Sequence, residues 1–143
     1  MEVVLVSACL VGLQTRYDTS HRKDDVLLAL LAGKVVVPVC PEQLGGLPTP
    51  RPKSEFSGGD GFAVLEGKAV LRNERGLEVT ENFVRGARAV LEIARLTGAR
   101  CAYFKERSPS CGTCLVRIDG QLVEGSGVTT ALLLRAGIEV VPR

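Results

Sequence analysis

Short apolar runs alternate along this chain with segments that have helical periodicity. The β-branched run Val3–Ser7 and the run Val35–Val39 have the length and composition of strands buried on both faces, as does the segment 100–104. Between them, residues 80–97 place apolar side chains at the spacing of an amphipathic helix. Residues 24–31 are also predicted to form a helix, because Asp24 and Asp25 suit its first turn and Gly33 suits its end. Strands that alternate with helices predict an α/β fold with a mainly parallel sheet and right-handed crossovers.

The C-terminal part of the chain continues this alternation. A short strand or hairpin is predicted over 115–123, a helix opened by Gly125-Ser126-Gly127 over 128–136, and a last strand over 138–141. Since a domain has about 150 residues, the 143 residues are predicted to form one domain over 1–143. The expected architecture is a Rossmann-like three-layer sandwich with a small β-hairpin insertion.

The middle of the chain carries the strongest helix- and strand-breaking signals. Glycine and proline are so dense over residues 44–61 that we predict no regular element there, and a loop this long is typically functional. Residues 62–71 are predicted to form a β-hairpin with Gly67 in its turn. The helix that follows is expected to take Thr80 as its N-cap and to end at Gly98.

Composition excludes some classes of protein and argues against others. Hydrophobic residues make up 45 % of the chain and charged residues 24 %, so it is not intrinsically disordered. A net charge of +2 and an aromatic content of 4 % argue against a stable nucleic-acid partner. No apolar run reaches the roughly 18 residues that a membrane helix needs. The first residues lack the basic region of a signal peptide, so we expect a cytoplasmic protein.

Cysteine usage points to metal or thiol chemistry. The number of cysteines is odd and no export signal accompanies them, which argues against a disulfide framework. The five are Cys9, Cys40, Cys101, Cys111 and Cys114. Cys101 lies within a predicted strand, where a small buried side chain is the simplest interpretation.

Three of these cysteines follow predicted strands directly. Cys9, Cys40 and the loop that carries Cys111 each come after such a strand. Because the carboxyl ends of parallel strands meet at one edge of a sheet, the three thiols are predicted to converge there. Three thiolates from separate loops could hold an iron–sulfur cluster or zinc, and burial of small side chains is the alternative.

Other polar residues accompany the cysteines on the same predicted edge. Glu42 follows Cys40 by two positions and could act as a general acid or base, or be a solvated loop residue. Ser108 and Ser110 could bind a ligand or only cap their turn, and Lys105 could bind an anion or be solvated. Lys105 and Ser110 are therefore our candidate substrate-binding residues.

Three segments resemble the signatures of a known family. They are SACLVG over 7–12, followed by Arg16-Tyr17-Asp18; PVCPE over 38–42, followed by GGLPTPR over 45–51; and KERSPSCG over 105–112. The family is a small bacterial group, long uncharacterised, that includes the thiouracil desulfidases. The resemblance extends over nearly the whole chain, with its blocks in order.

The resemblance implies a cofactor and a reaction. It implies a [4Fe-4S] cluster bound by three cysteines, here Cys9, Cys40 and Cys111, whose fourth iron has no protein ligand. The expected substrate is a small thiolated base such as 2- or 4-thiouracil, in which water replaces sulfur on the ring and sulfide is released. The family's catalytic glutamate and serine correspond to Glu42 and Ser108.

Two other hypotheses stay open from the residues alone. The protein could bind a metal or sulfide without catalysis. It could also be a dithiol oxidoreductase that uses Cys111 and Cys114, which form a C-x-x-C motif. A thioredoxin-like motif should open a helix, whereas the residues after Cys114 predict a strand, so the dithiol hypothesis is the weaker of the two.

Overall fold

The computed structural model of the protein describes all 143 residues. In chain order its elements are β1 (Val3–Ser7), a 3-10 helix (Ala8–Val11), α1 (Asp25–Leu30), β2 (Val35–Val39), α2 (Pro41–Leu44), β3 (Ser54–Ser57), α3 (Gly61–Leu65), β4 (Val70–Asn73), α4 (Thr80–Thr97), β5 (Cys101–Phe104), β6 (Leu115–Ile118), β7 (Gln121–Glu124), α5 (Val128–Arg135) and β8 (Glu139–Pro142). No helix is both long enough and apolar enough to cross a bilayer.

Four strands form a fully parallel sheet, as the alternation of apolar runs and helices predicts. Its order is β2-β1-β5-β8, and each neighbouring pair runs parallel. The central strand β1 is buried almost throughout, because Val4, Leu5 and Val6 are β-branched or bulky apolar residues with no exposed surface. All four carboxyl ends therefore lie on one edge of the sheet.

A second sheet of four short strands lies beside the first, with the order β4-β3-β6-β7. Strands β3 and β4 are antiparallel, β3 and β6 are parallel, and β6 and β7 form an antiparallel hairpin. The mixed α/β architecture with a mainly parallel sheet is thus confirmed, and the hairpin predicted over 115–123 is present.

Two predictions for the middle of the chain are wrong. Residues 62–71 do not form a hairpin: α3 occupies their first part, because the Asp60 carboxylate caps it by accepting from the amides of Phe62 and Ala63 at 3.1 and 3.3 Å. The region 44–61 also contains a strand, β3, which is held in place by the buried side chain of Phe56.

The long helix α4 matches its predicted extent and apolar face, but not its predicted cap. Val79 precedes the helix, and the Thr80 hydroxyl instead accepts a hydrogen bond from the amide of Leu71 at 3.0 Å, which ties the helix to β4. Gly98 ends the helix in the left-handed conformation, with φ at 74°, as expected.

Close contact between α2 and α4 fixes the segment that follows β2. A side chain at Gly86 would overlap the Pro41 carbonyl, and one at Gly45 would overlap the Asn82 carbonyl. The Asn82 side chain also donates to the Gly45 carbonyl at 2.9 Å. The backbone around Cys40 is therefore held against the longest helix of the protein.

Candidate active site

A cavity of about 390 Å³ opens at the carboxyl edge of the parallel sheet. Its walls come from the segment after β1, the turn into α2, the Gly- and Pro-rich region and the loop between β5 and β6. Cys9, Cys40, Glu42, Lys105 and Ser108 all line it. Cys111 lines the same cavity. The structure thus brings these six sequence-predicted site residues together.

The backbone holds Cys9 and Cys40 in short turns after their strands. Cys9 lies in the 3-10 helix, and its carbonyl accepts from the amide of Arg22 at 2.9 Å. Cys40 occupies the position before α2, where Pro41 starts the helix without needing an N–H partner. The Cys40 thiol donates to the Thr15 carbonyl at 3.8 Å.

The loop between β5 and β6 presents Cys111 through a dense set of backbone hydrogen bonds. The Cys111 amide donates to the Ser108 hydroxyl at 2.7 Å, and the Cys111 carbonyl accepts from the Thr130 hydroxyl at 2.9 Å. The first amides of α5 donate to the carbonyls of Pro109 and Ser110. This loop is consequently docked on the start of a helix and does not depend on a ligand for its shape.

Burial is the main cause of the raised pKa values of the Cys9, Cys40 and Cys111 thiols. Neighbouring thiols raise the pKa of Cys9 and of Cys111 further, so the three sulfurs lie near enough to interact. Without a metal centre, this environment favours neutral thiols. A metal centre would deprotonate them, because its charge stabilises a coordinated thiolate.

The three thiols do not form a preformed site for a single ion. No three Cys, His, Asp or Glu side chains converge on a point where one ion would contact them all. A mononuclear zinc site draws its sulfur ligands to about 2.3 Å from the metal. In an iron–sulfur cluster each iron takes its own cysteine, so the ligands surround a larger group. Two buried thiols, Cys9 and Cys111, and the half-buried thiol of Cys40 around one cavity could hold such a cluster.

Glu42 forms a buried ion pair beside the thiols. Its Oε1 accepts from Nε of Arg51 at 3.2 Å, and the side chains of Glu42 and Arg51 are only 17 % and 4 % exposed. Burial raises the pKa of the Glu42 carboxyl, while the charge and hydrogen bond of Arg51 oppose that rise. The Glu42 carboxyl lines the cavity and has a raised pKa, and both properties suit general acid–base catalysis.

Cations dominate the remaining wall of the cavity. Its charged lining residues are Arg16, Arg22, Arg51, Lys53, Lys105, Arg107 and Arg117, against two carboxylates, Glu42 and Glu106. Arg16 and Lys105 both lower the pKa of Cys9, which shows that they stabilise negative charge on that sulfur. Burial and the nearby Arg16 lower the pKa of Lys105 in turn. The cavity is therefore suited to a negatively charged or electron-rich occupant.

Some residues named from the sequence lie away from the cavity. Ser110 is fully buried behind the wall, and its hydroxyl has no hydrogen-bond partner. Cys101 is buried in β5 and Cys114 is exposed at the surface, and neither lines the cavity. Cys114 is followed by strand β6, so the C-x-x-C motif has no helix after it.

Sequence reasoning missed the buried arginine of the site. Arg51 lies in the Gly- and Pro-rich region, where arginines are ordinarily solvated, and its partner Glu42 is nine positions away in the chain. No periodic pattern could indicate this pairing. The only local signal was its place at the end of the GGLPTPR segment.

A family model and a curated protein both match this chain. A family model described as 2-thiouracil desulfurase matches residues 4–143. The chain belongs to this family. Among curated proteins, YbbK of Bacillus subtilis (strain 168), described as uncharacterized, is 41 % identical over an alignment of 142 positions, and the match covers 97 % of this chain and 94 % of YbbK. The resemblance drawn from the three sequence segments is thereby confirmed.

A solved structure extends the similarity to three dimensions. The [4Fe-4S]-dependent thiouracil desulfidase TudS superposes on this 2-thiouracil desulfurase family member with a TM-score of 0.85 and 40 % identity. The match covers 100 % of this chain and 91 % of that protein. The architecture and the expectation of a desulfidase-like enzyme are confirmed at the level of the family.

Proposed function

We propose that this protein removes sulfur from a small thiolated base of the thiouracil type, using a [4Fe-4S] cluster bound by Cys9, Cys40 and Cys111. The observation that carries the proposal is that three thiols from distant segments line one cavity, with the partly buried Glu42 beside them. Membership of the 2-thiouracil desulfurase family and similarity to TudS support it.

When bound, the cluster would supply an iron without a protein ligand, whose Lewis acidity polarises the carbon–sulfur bond. Glu42 would take a proton from the attacking water and return one to the departing sulfur. In sum, a thiocarbonyl and water give a carbonyl and hydrogen sulfide, with no net oxidation or reduction. The charges of Arg16 and Lys105 would stabilise the thiolate ligands, because both oppose the effect of burial, which raises the pKa of Cys9.

Ser108 would orient the substrate. Its hydroxyl oxygen already accepts from the Cys111 amide, so its hydrogen is free for donation to another group in the cavity. Lys105 lines the same wall, and we propose that it contacts the base or the leaving sulfur. Ser110 lies behind the wall, so we assign it to the packing of the cysteine loop.

The test begins with protein purified without oxygen. We expect close to four irons and four acid-labile sulfides per chain, and conversion of 4-thiouracil to uracil and sulfide. Serine variants of Cys9, Cys40 and Cys111 should lose iron, whereas the matched controls Cys101→Ser and Cys114→Ser should keep it. Full cluster content in any of the three ligand variants would contradict the ligand assignment. Iron-loaded protein that does not release sulfide from 4-thiouracil or 2-thiouracil would contradict the proposed activity.

A further inference from the structure

Each of the three guanidinium nitrogens of Arg51 donates a hydrogen bond within the protein. Besides its bond to Glu42, its Nη1 donates to the Thr49 hydroxyl at 2.8 Å and to the Pro48 carbonyl at 3.2 Å. Its Nη2 donates to the Thr15 carbonyl at 2.8 Å. The backbone amide of Arg51 donates to the Tyr17 carbonyl, also at 2.8 Å. The guanidinium is therefore fixed in position before any ligand binds.

The hydrogen bond from Arg51 makes the two carboxylate oxygens of Glu42 different from each other. Oε1 accepts the hydrogen bond from Arg51 Nε. Oε2 has no hydrogen-bond partner, yet it is not among the polar atoms sealed from solvent. Because Glu42 lines the cavity, its accessible oxygen is the one that a substrate or water can reach. One oxygen is anchored and the other is available.

The Arg51 guanidinium also shares a hydrogen-bond acceptor with the Cys40 thiol. The Thr15 carbonyl accepts from Arg51 Nη2 and from the Cys40 thiol. Arg51 thus connects the carboxylate of Glu42 with the backbone against which Cys40 lies. A lysine could not reproduce this arrangement, since a single ammonium lacks the planar set of donors that reaches all these acceptors.

We propose that Arg51 is the positioning residue of the reaction, holding Glu42 Oε1 so that Oε2 alone transfers the proton beside the cluster. This inference rests on the proposed function, because it requires Glu42 to act as the acid–base group. Arg51 need not touch the substrate. Its effect is on the orientation of the carboxylate, since a misplaced general base loses most of its rate enhancement.

The first test compares Arg51→Lys with the control Arg143→Lys in the cluster-loaded protein. Arg143 also forms an ion pair, with its Nε 3.0 Å from Asp24 Oδ2, but it does not line the cavity. Arg51→Lys should keep its iron and sulfide content and its affinity for the product uracil, measured by equilibrium binding. Its kcat should fall by about 10- to 100-fold. Arg143→Lys should change kcat less than twofold. An unchanged kcat in Arg51→Lys would overturn the inference. A fall in kcat accompanied by a loss of uracil affinity would overturn it as well.

The second test asks whether Arg51 acts through Glu42. We compare kcat in Glu42→Gln, Arg51→Lys and the double variant. If the arginine only positions the carboxylate, the double variant should be no slower than Glu42→Gln. Losses that multiply would overturn the inference and leave the proposed function intact. Full activity in Glu42→Gln would instead overturn the role of Glu42 in the proposed function.

A milder variant covers the case in which Arg51→Lys does not fold. Thr49→Val removes the hydroxyl that accepts from Arg51 Nη1 and keeps the shape of the side chain. It should keep its iron content and lower kcat by about three- to tenfold, less than loss of the guanidinium itself. A folded, iron-loaded Thr49→Val protein with the kcat of the parent would argue against the positioning of Glu42 by Arg51.

Discussion

Glu106 offers the clearest quantitative prediction, since one of its oxygens organises the loop that carries Cys111. Oε1 accepts from the backbone amides of Arg107, Thr113, Cys114 and Leu115 at 3.2, 2.9, 3.0 and 3.0 Å. Oε2 is buried and has no partner. Burial works against the charge of this carboxyl, but the four amides together lower its pKa below the ordinary value.

The perturbation is Glu106→Gln, which keeps the size of the side chain and removes its charge. Hydrogen bonds to a charged group contribute about 1.5–3 kcal/mol each, but four bonds on one oxygen are not additive. A neutral amide oxygen keeps bonds of about half that strength, and its NH₂ group would occupy the site where Oε2 has no partner. We therefore expect the free energy of unfolding to fall by about 2–3 kcal/mol.

The assay is urea unfolding of the cluster-free chain, with the exposed, unpaired Glu92→Gln as the control. Glu92→Gln should stay within about 0.5 kcal/mol of the parent. Since the folded pKa of Glu106 is lowered, its stabilisation is complete above the unfolded value of about 4.3 and is lost as pH falls through the folded pKa. The difference between parent and Glu106→Gln should thus be constant near pH 7 and shrink below about pH 4.

Two results would refute this reasoning. A Glu106→Gln protein as stable as the Glu92→Gln control would show that the four amides do not depend on the carboxylate. A stability difference that persists unchanged at pH 3 would show that its cause is not the charge of Glu106.

Three further predictions concern the framework of the cavity. The Ser7 hydroxyl accepts from the Lys105 amide at 2.9 Å and opposes the burial that raises the pKa of the Cys111 thiol, so Ser7→Ala should lose iron to a chelator severalfold faster, and Ser7→Thr should restore the parent rate. Gly86→Ala should lower stability by about 1–3 kcal/mol in urea unfolding, because the new methyl group overlaps the Pro41 carbonyl, and it should lower iron content as α2 shifts. Phe83→Ala removes a fully buried ring and should cost about 3–5 kcal/mol without changing kcat in the protein that remains folded.

The parallel sheet and the convergence of the cysteines were predictable because they depend on local patterns and one topological rule. The runs Val3–Ser7 and Val35–Val39 are strongly β-branched, which distinguishes them from surface strands. Once both are strands of a parallel sheet, the residues that follow them must share an edge. The proximity of Cys9 and Cys40 could therefore be predicted from the sequence alone.

The errors arose where long-range contacts outweigh local pattern. The sequence of residues 62–71 fits either a hairpin or a helix, and the choice is made by the cap from Asp60. Strand β3 has a single fully buried side chain, Phe56, and lies between breakers, so its sequence hardly differs from a loop. The Arg51 site depends on acceptors from two separate segments, which local sequence does not encode.

The distribution of the three cavity thiols along the chain has a consequence for biosynthesis. Cys9, Cys40 and Cys111 come from three segments, and the last of them emerges after about three quarters of the chain has been made. No shorter fragment contains the complete set, and the loop of Cys111 is shaped only after α5 has docked against it. If the cavity binds the proposed cluster, binding by all three cysteines therefore has to follow the synthesis and docking of α5.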